Sequence, residues 1–156
     1  MKSAVQNAAK FVSIVCLVAL IVSCERKRTP VELHTESMAI IQRLIERDRT
    51  HPLLEEFKAL RSKALTGPER TEALKRHQES CVDFDRLRVT LQAGRALSDY
   101  PGIERLGSYV GSDPYRYFIT GFGGYVSEQG PEPHSVKIDI DARGHITKVS
   151  VIVASH

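Results

Sequence analysis

Twelve almost wholly apolar residues, Phe11–Val22 (FVSIVCLVALIV), follow a short basic opening that carries Lys2 and Lys10 and no acid. A helix crossing about 30 Å of hydrocarbon needs about 20 residues at its rise per residue. Even with Ser23 and Cys24 added, the run reaches only 14 residues. A basic start, a short apolar stretch and a small residue at its end make the layout of a secretion signal rather than of a membrane span. Residues 1–23 are therefore expected to be cleaved, leaving 133 of the 156 residues. That length closes one modest core and leaves no room for a second.

The apolar run ends in Ile21-Val22-Ser23-Cys24, which resembles the lipobox of bacterial lipoproteins: an aliphatic residue, a tolerated position, a small residue and a cysteine. The resemblance covers the first 24 residues. It implies that the Cys24 thiol takes a diacylglycerol, that a dedicated peptidase cuts between Ser23 and Cys24, and that the new amino group is acylated. Each position has a physical reason. The small Ser23 lets a peptidase reach the bond, and a thiol is the best available nucleophile for a thioether. Two or three buried chains, at about 0.8 kcal/mol per methylene, make a firm anchor where one holds only marginally. Arg26, Lys27 and Arg28 follow at once. Glu25 stands where an Asp would resemble an inner-membrane retention signal, so the location implied is the cell envelope, on the outer membrane facing the periplasm.

Without its first 23 residues the chain carries 20 basic and 19 acidic residues, nearly neutral against the precursor's +3. The two signs interleave along the whole length, whereas a nucleic-acid binder concentrates basic charge. No nucleic-acid partner is expected; the membrane, through lipid on Cys24, and an envelope protein are.

Of three cysteines, Cys16 leaves with the signal and Cys24 is alkylated, which leaves Cys81 and no internal disulfide. Cys81 falls with Leu74, Phe84 and Leu91 at helical spacing, so it is read as a small core residue rather than a reactive thiol. The six histidines (His34, His51, His77, His134, His145, His156) are read as scattered, with no i, i+4 pair and no Cys or carboxylate at ligand spacing. Neither a metal site nor a cofactor is expected.

Four regions follow: the signal (1–23), a charged tether (24–30), a helical region (31–94) and an α+β region (95–156). Met38, Ile41, Leu44 and Ile45 stripe a first helix. Leu53, Phe57, Leu60 and Ala64 stripe a second, starting at Thr50 before Pro52 and ending at Thr66-Gly67-Pro68. A third runs from about Pro68 to Ala93, with Gly94 as its stop. These are helices packed on one another as a hairpin or bundle, or a hairpin projecting from a sheet. A short further helix is expected from Ser98 or Asp99, with Pro101 in its first turn, to about Gly111. From Tyr115 the text turns to strand: YRYFIT, a Gly-rich stretch, a polar loop (SEQGPEPH), then SVKIDID and HITKVSVIVAS joined by Asp141-Ala142-Arg143-Gly144, a hairpin signal. The class is α+β, a helical hairpin or bundle followed by a helix and a small antiparallel sheet.

Two passages, Tyr109-Val110-Gly111-Ser112-Asp113-Pro114-Tyr115 and Ile138-Asp139-Ile140-Asp141-Ala142-Arg143-Gly144-His145-Ile146, resemble the small barrel-assembly-accessory lipoproteins. In these a helix ends in a Gly-containing turn with Pro-Asp, followed by a tyrosine-bearing strand and an "FDxxG-x-V" hairpin. The likeness covers about a third of the chain, with Asp-Pro in place of Pro-Asp and no counterpart for the helical half. It implies an envelope scaffold without catalysis.

The chemistry-bearing groups are few. Asp139 and Asp141 alternate on one strand face, about 7 Å apart, a spacing a glycosidase can use and any half-exposed strand also shows. Gly121-Phe122-Gly123-Gly124 lacks the lysine of a phosphate loop and reads as a turn or bulge. No Gly-x-Ser-x-Gly elbow is present. Tyr109, Tyr115, Tyr117 and Tyr125 cluster about the first strand, as core or as a binding surface. The expectation is a lipid-anchored envelope protein with a scaffold, adaptor or accessory role and no catalytic residue. The alternatives are a small periplasmic hydrolase, for which Asp139, Asp141 and His145 would converge in a cleft, and a ligand-binding module on the tyrosines.

Overall fold

In the computed structural model of the chain, residues 26–123, 126–127, 130–131 and 134–153 are described. The apolar run, Ser23, Cys24 and Tyr125 lie outside them.

Three helices open the domain: α1 (Pro30–Thr50), α2 (Leu53–Arg61) and α3 (Gly67–Thr90). The start of α1 is fixed twice. Pro30 presets φ in the first turn, and Thr29 and Glu32 form a reciprocal capping box, Glu32 N donating to Thr29 Oγ1 and Thr29 N to a Glu32 carboxylate oxygen. The bond from Thr29 N, with the Thr29 side chain beside it, holds the Glu32 carboxyl below the usual carboxylate range. The second helix is shorter than its apolar stripe implied, with Leu53 N held by Asp48 Oδ1 at 2.9 Å.

The connection differs from expectation. In place of one α-helix from residue 98 or 99 to 111, two one-turn 3-10 segments, Leu97–Asp99 and Ile103–Arg105, lead into a strand, β1 (Gly107–Val110). Pro101-Gly102 between them explains the break. Gly102 has φ +93°, and a Cβ there would lie 2.7 Å from Ile45 Cδ1, so the chain turns against α1 at a spot only glycine fits.

The sheet contains β1, β2 (Asp113–Gly123), β5 (His134–Ile140) and β6 (Ile146–Val153), antiparallel in the order β1-β2-β5-β6. Between β2 and β5 a two-residue pair, β3 (Val126–Ser127) with β4 (Gly130–Pro131), forms a small ribbon. The β5–β6 hairpin is the one its turn residues specify: Gly144 takes φ +81°, and Asp141 Oδ1 accepts from Arg143 N at 2.8 Å and His145 N at 2.9 Å. The Gly-rich stretch continues β2 and coincides with a register shift against β5 between Ile119 and Gly123, the bulge its composition favours.

The helical half neither stands apart nor projects. Ile40, Ile41, Leu44 and Ile45 of α1, Phe84 and Leu87 of α3, and Ile119, Val136, Ile138 and Ile146 of the sheet belong to one buried cluster, closed by Leu97, Tyr100 and Ile103 of the connection. A single core thus spans the boundary drawn at residue 95. The α+β class is as the sequence implied.

Candidate functional site

Asp139, Asp141 and His145 lie on the β5–β6 hairpin rather than in a cleft. Lys137 Nζ meets Asp139 Oδ1 at 2.9 Å on the sheet's outer face. The Asp141 carboxyl is occupied by the turn, and its bonds from His145 N and Arg143 N hold it below the ordinary range. His145 Nδ1 stands 3.6 Å from Asp141 Oδ1. Two carboxylates committed to a cation and to backbone N–H groups leave no general acid and base facing a common substrate position.

The tyrosines divide. Tyr117 is buried, its hydroxyl donating to Ile103 O at 3.0 Å, and burial pushes that hydroxyl's pKa up to about 12. Tyr109 meets it edge-on, ring centroids 5.1 Å apart, and is half exposed, as is Tyr115. With Val110 they leave an apolar tip on the β1–β2 hairpin, while the position that would have floored a tyrosine pocket is solid core.

One pairing escaped the sequence reading. His77 and Cys81 stand four residues apart on α3, with Cys81 Sγ 3.5 Å from His77 Nε2, so a His and a Cys do share helical ligand spacing. His77 is buried beneath Phe57, ring centroids 5.7 Å apart, and Cys81 is half buried rather than fully in the core. The i, i+4 rule finds this pair once histidines are paired with cysteines as well as with one another. Among the described residues no three His, Cys, Asp or Glu gather to hold a metal ion.

Among the described residues, a highly connected polar group is the seam between α1 and α3. Asp83, buried, accepts from Arg43 Nη2 at 2.7 Å and Arg47 Nη1 at 3.3 Å; Arg47 Nη1 also donates to Ser80 Oγ at 3.0 Å. The bond to Asp83 raises the Arg43 pKa above its ordinary value. Nearby, an open groove between α2 and the start of α3 is lined by Glu56, Leu65, Pro68, Glu69, Glu72 and Arg76, with Arg76 bonded to Glu56 at 2.6 Å across it. Every partner in the seam is another group of the domain, Ser80 Oγ donating on to Arg76 O at 2.9 Å, so its evident work is structural.

Fold and sites together define a small α+β domain with one helix-covered sheet. No family model, curated protein or solved structure matches the chain. No helix among the described residues is long and apolar enough to cross a membrane.

Proposed function

We propose that this is a lipid-anchored cell-envelope protein, held by lipid on Cys24 at the outer membrane facing the periplasm, whose folded domain is a non-catalytic scaffold, adaptor or accessory subunit. The observation that carries the reading is Ser23-Cys24 at the foot of the Phe11–Val22 run, with the capped start of α1 at Pro30 only six residues beyond Cys24. Anchor and domain are then joined with almost no intervening chain. The commitment of Asp139 and Asp141 to Lys137 and to the turn weighs against the hydrolase reading, and the solid packing of Tyr117 weighs against a tyrosine pocket. What remains for a partner is surface, with the β1–β2 tip (Tyr109, Val110, Tyr115) its most aromatic part among the described residues.

The test is metabolic labelling with a clickable fatty acid, wild type against Cys24→Ala, read together with the mass of the processed N-terminus. The reading requires label that disappears in the variant and a mature chain that starts at Cys24. An unlabelled wild type would overturn it.

A further inference from the structure

The tether limits which part of the domain can meet the membrane. Five residues separate Cys24 from Pro30, and fully extended they span at most about 17–20 Å. The far end of α1, 21 residues on, lies about 30 Å further along the helix axis. One end of the domain is therefore confined near the headgroups, while the other can stand up to about 30 Å further from them.

Several elements converge on the confined end. Because α1 and α3 run antiparallel, the last turn of α3 sits beside Pro30: Gln92 Nε2 donates to Pro30 O at 2.6 Å, and Glu36 on α1 pairs with both Arg28 and Arg86. The β5–β6 turn is pinned to the chain that follows, Gly94 N donating to Ile146 O at 2.7 Å and Leu97 N to Gly144 O at 3.0 Å. This end exposes Val31 and Val89, 70% and 57% accessible, in the first turn of α1 and the last turn of α3. Most of its acids are engaged: Glu32 in the cap, Glu36 between two arginines, Asp141 in the turn. Its cations Lys27, Arg88 and Arg95 form no ion pair with a carboxylate among the described residues, and Arg143 is exposed beside Asp141, whose carboxyl is already held by the turn. Cations within a Debye length of a surface, about 8–10 Å, are attracted by anionic lipid, and a guanidinium binds phosphate through paired N–H groups.

We infer that this end, with Val31, Val89, Lys27, Arg88, Arg95 and Arg143, seats on the anionic phospholipid surface that carries the protein's own anchor, fixing the domain's orientation. The inference rests on the reading of Cys24 as the lipid attachment site.

The chain contains no tryptophan, so single substitutions give clean reporters. The processed protein, as Val31→Trp, Val89→Trp or Leu54→Trp, is reconstituted into phosphatidylcholine vesicles with brominated acyl chains, with or without roughly one-third phosphatidylglycerol. Leu54 is the exposed far-end control. Docking requires quenching of Val31→Trp and Val89→Trp several-fold stronger than of Leu54→Trp in anionic vesicles. The contrast must fall by more than half without phosphatidylglycerol or with Arg88→Glu and Arg143→Glu together. The mass of the same preparation reports the lipid. Lipid present with three equally weak signals overturns docking and leaves the anchor; no lipid with near-end quenching overturns the anchor and leaves docking; no lipid and no quenching overturns both.

Discussion

Helix α1 meets the rest of the domain along two lines of opposite character. Toward the sheet it presents Ile40, Ile41, Leu44 and Ile45, all buried in the apolar cluster. Toward α3 it presents Arg43 and Arg47, which converge on the buried Asp83. Apolar contact is non-directional and rewards area, so the first line supplies stability without fixing rotation or sliding. The charged seam adds little net free energy, because desolvating Asp83 offsets much of what pairing returns. Its geometry is exacting, however: Arg43 and Arg47 stand one turn apart, so a one-turn slip of α1 would leave Asp83 one arginine in place of two, and a rotation about the axis would take both away. Stability and register are thus carried by different sides of one helix.

That division can be broken experimentally. The largest effect belongs to the apolar line. Ile138→Ala, at a fully buried position shared by helices and sheet, is expected to destabilise the domain by about 2–5 kcal/mol in urea titration. A loss below about 1 kcal/mol would mean that the two layers do not share a core. Next is the seam, where Asp83→Ala leaves the largely buried Arg47 with only Ser80 Oγ at 3.0 Å and a longer, exposed pairing to Glu79 at 3.8 Å. Arg43 is half solvated, which reduces the penalty, so roughly 1–3 kcal/mol is expected. An apolar replacement of Asp83 and Arg47 together should recover most of it while loosening helix register, visible as new α1–α3 crosslinks one turn out of place.

Smaller effects sharpen the picture on the sheet side. Tyr117→Phe removes a buried hydrogen bond and is expected to cost about 1 kcal/mol near neutral pH. Its folded pKa, pushed up to about 12, lies above the ordinary value near 10. The neutral hydroxyl's contribution is therefore complete below pH 10 and is lost as pH rises toward 12. The wild type should destabilise across that window more steeply than Tyr117→Phe, and equal slopes would refute the assignment. The least effect is expected at Asp141. Its carboxyl is held low by two backbone N–H groups, so its contribution is present above the ordinary aspartate range and fades as pH falls through the depressed value. Asp141→Ala should lower the melting temperature slightly at neutral pH and flatten the acid limb of the stability curve.

Local signals were legible and tertiary ones were not. Asp141 through Gly144 specify their hairpin with their own side chain and backbone, and Thr29-Pro30 with Glu32 specify a helix start in the same way. Residues 97–111 carry helix-compatible text, yet residues 97–106 are held between α1 and Tyr117 of the sheet, and 107–110 join the sheet as β1. There Gly102 must clear Ile45, and a Cβ on Gly107 would lie 2.1 Å from Phe118 O, so packing against distant residues overrides local preference. Tyr117 and Tyr115 read alike in sequence. Only the placement of Ile103 above the sheet separates the buried one from the exposed one. His77 and Cys81 were within reach of the helical repeat, but spacing alone does not reveal that Phe57 covers the histidine.

The sheet order β1-β2-β5-β6 follows the chain, which bears on how the domain assembles. Each strand pairs with one already made or next to be made, so the sheet closes through near-neighbour contacts, the kind that form fastest. Helix α1 is the exception. It is synthesised before every other element of the core, and the surfaces it needs on Ile138 and Ile146 come roughly a hundred residues later. Until the final hairpin emerges, Ile40, Ile41, Leu44 and Ile45 have only Phe84 and Leu87 of α3 and the 97–106 connection to cover them, so the emerging chain holds an incompletely covered apolar face. Truncation before β5 should yield no stable fragment.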